Sequence, residues 1–99
     1  MQLVVLGTAT DEACLTEAEE GERFAALTER LRARAVTVRH AWNLLGRHDY
    51  LLVLDVEGGP PEAFAAMSII AQSGAMRTES FLALPLETYF DLAAQVARP

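Results

Sequence analysis

Gly46 is followed without a break by Arg47, His48, Asp49 and Tyr50, and the apolar run Leu51-Leu52-Val53-Leu54 begins at once. These four side chains have the chemistry to move a proton. An imidazole titrates near neutral pH, a carboxylate accepts, a phenol donates, and a guanidinium holds an anion or enolate. Neighbours in a strand face opposite sides, so His48 and Tyr50 point one way and Asp49 the other. Asp49 therefore does not orient His48 as its catalytic partner, and its plainer role is to accept backbone N–H bonds in the turn. A second set precedes the first: His40, Trp42 and Asn43. His40 and Trp42 share a strand face. If that face lines a cavity, His40 can carry protons and Trp42 offers a flat apolar wall with an N–H handle. The alternative is that Trp42 is dimer core and His40 is satisfied by a nearby carbonyl. Arg47 and Arg77 are cations near strand ends. Arg77 alternates onto the same face as Glu79, so the two are expected to pair unless Arg77 faces an anionic ligand.

No metal or cofactor is expected. The chain holds two His and one Cys, with no His-x-x-x-His, Glu-x-x-His or Cys pair. Gly58-Gly59 leads into Pro60-Pro61, which lacks the N–H donors of a phosphate-cradling loop. Cys14 is alone, which excludes an internal disulfide and fits a reducing cytoplasm. A solitary loop thiol is more often inert than nucleophilic.

The elements that must position these groups follow from pattern. Leu3 to Leu6 is an unbroken apolar run, read as strand one rather than a signal peptide, because no basic segment precedes it. Thr8 to Thr16 is polar loop. Thr16-x-x-Glu19 offers a capping box for a helix with Phe24, Leu27 and Leu31 on its buried stripe. Acidic residues crowd the start of that helix and Arg30, Arg32 and Arg34 its end, as the helix dipole favours. Val36 to Leu45 reads as strand two, with Val36, Val38, His40, Trp42 and Leu44 on one face. Gly46 to Asp49 is a tight connection to an antiparallel third strand, Tyr50 to Glu57. Gly46 is expected at positive φ or against a close backbone. A helix from about Pro61 to Ser73 ends at Gly74, with Ala63, Ala66, Met67 and Ile70 buried. Met76 to Leu84 is strand four, and Leu86 to Val96 is a last helix.

This order, β-α-β-β-α-β plus a terminal helix, defines one α+β domain over residues 1–99 with a ferredoxin-like arrangement. Right-handed crossovers put both internal helices on one side of the sheet. Strands one and three are nonetheless apolar on both faces, so both faces must be covered. An eleven-residue helix spans only about 16 Å, too little for four strands. The expectation is a face-to-face homodimer, or a higher homo-oligomer, which also helps a 99-residue chain bury its core. The 52 % apolar content argues against disorder. Nucleic acid is not an expected partner: net charge is −6, there is no Lys, and the Arg residues are scattered. No apolar run approaches a membrane span.

The segment from Trp42 to Leu84 resembles the GYD domain family of small bacterial proteins. The resemblance rests on Gly46-Arg47-His48-Asp49 before an apolar strand and on Gly74-Ala75-Met76-Arg77-Thr78-Glu79-Ser80 entering the last strand. His48 stands where the family's Gly-x-Tyr-Asp motif has its aromatic Tyr, and Tyr50 lies one place beyond Asp49. The resemblance implies a dimeric α/β barrel and no particular reaction. The expected activity is binding of a small, largely apolar or aromatic molecule, with Trp42, Asn43, Arg47 and Arg77 as candidate contacts. The alternative is a cofactor-independent monooxygenase or isomerase, chemistries that the barrel superfamily includes, with His40, His48, Asp49 and Tyr50 as candidate catalytic groups. A second alternative is a structural or regulatory assembly module without a ligand.

Overall fold

The computed structural model describes residues 1–98. The elements in chain order are β1 (Gln2–Ala9), α1 (Asp11–Leu15), a 3-10 turn (Glu17–Glu19), α2 (Glu20–Arg32), β2 (Val36–Asn43), β3 (Tyr50–Val56), α3 (Pro60–Gln72), β4 (Met76–Ala83) and α4 (Leu86–Val96). The strands form one antiparallel sheet in the order β2-β3-β1-β4. This is the ferredoxin-like α+β topology with an added C-terminal helix.

Helices α2 and α3 cover one face of the sheet. Leu3 and Val5 of β1, and Leu52, Leu54 and Val56 of β3, are buried there against Leu27, Leu31, Ala66 and Ile70. The intervening residues Val4, Leu6, Leu51 and Val53 face the other side and are only half-buried. Phe81, paired with Val4, and Trp42, paired with Leu51, extend that open face and are 49 % and 53 % exposed. Helix α4 does not cover it. Leu86, Tyr89, Phe90 and Val96 are between 52 and 76 % exposed. The chain is accordingly elongated, 56 × 31 × 17 Å, with a radius of gyration of 15.4 Å against about 13 Å for a compact chain of this length.

Three local expectations need correction. The register of β2 against β3 shifts between Val38 and His40, so Arg39 is an extra residue in the strand. Such a bulge turns all later side chains over. Val36 and Val38 lie on the helix side, whereas His40 and Trp42 lie on the open face, where their rings stack at 5.0 Å and 9°. Arg39 itself reaches Asp55 across the strands at 2.9 Å. The Thr16 capping box does not form, because the chain from Glu17 to Glu19 winds as a 3-10 turn. The working cap is Thr10, whose hydroxyl accepts the Ala13 N–H at the start of α1, a helix inside the stretch read as loop. Phe24 belongs to the expected stripe but is 38 % exposed beside the fully buried Leu31.

Candidate functional site

The β1–β3 ladder stops at the Gly7–Tyr50 pair, while β1 continues to Ala9 against β4. This leaves the Ala9 N–H beyond the reach of β3. Asp49 supplies the missing rung: its Oδ2 accepts the Ala9 N–H at 2.7 Å. Its own N–H donates to the Gly7 carbonyl at 2.8 Å and its carbonyl accepts the Leu44 N–H at 2.7 Å. The backbone N–H that the Asp49 carboxylate accepts thus comes from β1, while the N–H from within the connection, that of Leu44, goes to the Asp49 carbonyl. Gly46 makes the turn at φ +152°, with open space where a Cβ would stand. Only glycine adopts such a conformation without strain.

This stitching sends Tyr50 to the helix side of the sheet. Gly7 allows it to lie close, since a Cβ there would meet the Met76 sulfur at 2.6 Å and the Tyr50 ring at 3.4 Å. Above them is a cleft of about 380 Å³ between the first turns of α2, the end of β2 and the start of β4. Its walls are largely apolar: Phe24, Leu27, Ala41, Leu52, Ala75 and Met76. Its polar groups are Glu20, Arg23, Asn43, Tyr50 and Ser73. The volume lies in the range of small-molecule sites, and the pattern of apolar walls with few polar anchors is theirs as well.

The Tyr50 hydroxyl donates to Glu20 Oε1. Burial, the Glu20 hydrogen bond and the negative charges of Glu20 and Asp49 push the Tyr50 phenol up to about 12. It is therefore a fixed hydrogen-bond donor at neutral pH and not a base. Arg23 is turned away from Glu20. Its terminal nitrogens donate to the Thr16 hydroxyl at 2.6 Å and the Thr16 carbonyl at 3.2 Å, and its nearest carboxylate is Glu19 at 3.9 Å. The Arg23 Nε has no partner and no solvent access.

The candidate residues separate into three places. Tyr50, Asn43 and the adjoining Trp42 border the cleft. His40, with the Trp42 ring, lies on the open sheet face. Arg47 is exposed in the turn, and His48 Nδ1 is 3.5 Å from the hydroxyl of Thr8, on the opposite side of the sheet from Tyr50. Arg77 pairs in register with Thr8, and among the described residues it forms no ion pair with Glu79. Glu20, Arg23 and Ser73 were not among the sequence candidates. Glu20 reads in sequence as one of several acidic residues favouring a helix start, and nothing local marks it as facing Tyr50. Among the described residues no three His, Cys, Asp or Glu side chains gather as metal ligands, and no helix is long and apolar enough to cross a membrane. Compared with known proteins, the chain matches no family model, no curated protein and no solved structure.

Proposed function

We propose that this chain binds a small, largely apolar or aromatic molecule in the cleft between α2 and the sheet. The observation that carries this reading is the apolar cleft of about 380 Å³ with the Tyr50–Glu20 pair fixed at its polar end. Calorimetric titration with 2-(2-naphthyl)ethanol, a neutral aromatic of suitable size, tests it. Saturable binding is expected, and Ala41→Arg, which fills the mouth from an exposed position, abolishes it. No saturable binding by the parent protein overturns the reading.

The working unit is proposed to be a homodimer or higher homo-oligomer, in which a second copy covers the open face. Half-buried Val4, Leu6, Leu51 and Val53, with Trp42 and Phe81 beside them, support this, since contiguous apolar surface is rarely left to water. Sedimentation of a stable monomer at low micromolar concentration refutes it. Membership among GYD-like dimeric α/β barrels is proposed on the motif residues and the ferredoxin-like topology. A reducing, cytoplasmic setting is proposed on the single free Cys14. An isomerase or cofactor-independent monooxygenase rests on Glu20 and Tyr50, because His40, His48 and Asp49 lie outside the cleft.

A further inference from the structure

The two charged groups of the cleft, Glu20 and Arg23, do not pair with each other. Glu20 receives one hydrogen bond, from Tyr50, on Oε1. Its other oxygen has no protein donor, and among the described residues no Arg lies within ion-pair distance of it. The one cation at the cleft, Arg23, is committed to Thr16 and leans towards Glu19. Its Nε is sealed from contact with even a water-sized atom, and both terminal nitrogens are anchored on Thr16, which holds the guanidinium away from Glu20. The cleft thus presents one oriented carboxylate oxygen above apolar walls, with the ring of Phe24 alongside. Resting on the binding reading above, we propose that the molecule it takes is an apolar or aromatic amine, whose ammonium group pairs with Glu20 while its hydrocarbon part lies against Phe24, Leu52 and Met76. Burial raises the Tyr50 phenol most, and the hydrogen bond and negative charge of Glu20 raise it further, as a carboxylate without a cation beside it would. A protonated amine supplies the missing opposite charge and donates to the idle oxygen in a charge-assisted hydrogen bond.

Three near-isosteric probes separate this proposal from the broader one. These are 2-(2-naphthyl)ethylamine, 2-(2-naphthyl)ethanol and 2-naphthylacetate, titrated calorimetrically at pH 7. The amine is expected to bind about tenfold more tightly than the alcohol, and the acid more weakly than either. Glu20→Gln should remove the amine's preference over the alcohol, with a cooperative thermal unfolding transition showing that the variant is folded. If that variant does not fold, the parent protein still decides: 0.5 M NaCl should weaken amine binding and not alcohol binding. Saturable alcohol binding with an amine preference of about threefold or less, or with the acid preferred, overturns the amine assignment and leaves the cleft a binding site. Failure of all three probes overturns both.

Discussion

Removing the Asp49 carboxylate isolates one interaction. In Asp49→Ala the backbone bonds from Asp49 to Gly7 and from Leu44 to Asp49 remain, and only the bond from the Ala9 N–H at 2.7 Å is lost. A hydrogen bond to a charged group contributes about 1.5–3 kcal/mol. Ala9 and Asp49 are only half-buried, so water reaches the freed N–H and the cost falls at the low end, about 1.5 kcal/mol. For a domain of this size that lowers Tm by about 6–12 °C. Asp49→Asn keeps an accepting oxygen without the charge and should lose about half as much. The assay is thermal unfolding by far-ultraviolet circular dichroism at one protein concentration, because an oligomer's Tm moves with concentration. If Asp49→Ala melts within about 2 °C of the parent protein, the carboxylate does not serve as the missing rung. If Asn and Ala variants melt alike and well below the parent, acceptance by the side-chain oxygen is not what matters.

Trp42 is 53 % exposed in the protomer, so Trp42→Ala should cost far less than the about 3–5 kcal/mol of a buried Trp; it should instead weaken self-association by about tenfold or more in sedimentation experiments if the open face is the interface. Gly46→Ala forces a side chain into φ +152° and should destabilise by about 1–3 kcal/mol in urea denaturation. Ala35→Gly acts in the opposite direction, because Ala35 already stands at φ +59° between α2 and β2, and should stabilise by about 0.5–1 kcal/mol. The Tyr50 phenol is held up at about 12 in the folded chain, against an unfolded value near 10. The folded state therefore favours the protonated phenol, and this contribution is full below pH 10 and lost as pH rises towards 12; stability should fall more steeply across that window in the parent than in Tyr50→Phe, and equal slopes refute it.

Element order and the final helix, Leu86–Val96, are legible in the sequence because they rest on apolar period and on Gly and Pro punctuation. The buried residues Leu27, Leu31, Ala66 and Ile70 follow from the same helical spacing. The bulge at Arg39 is not legible. Val-Thr-Val-Arg-His-Ala-Trp alternates smoothly and contains no Gly, and only pairing with β3 reveals the extra residue. The cleft was hidden for a related reason. Its members come from α2, β2, β3 and β4, and the partnership of Glu20 with Tyr50 spans thirty residues. Local pattern reports which side of its own element a residue occupies, and not which side chain from another element it meets. Asp49 was legible as an acceptor of backbone N–H, but its donor lies at the far end of the first strand.

The Arg39 bulge also bears on how copies of this chain can grow. The sheet has two free margins, β2 and β4. An endless ribbon requires the margin of one copy to zip onto the opposite margin of the next, β2 on β4, over and over. The extra residue at Arg39 throws the β2 hydrogen-bonding groups out of phase halfway along, and the Arg39–Asp55 ion pair adds charge beside it. The β4 margin is regular over all eight residues of its pairing with β1. Zipping of β2 onto β4 is thereby interrupted, so the same kink that carries His40 and Trp42 to the open face also works against an endless fibril.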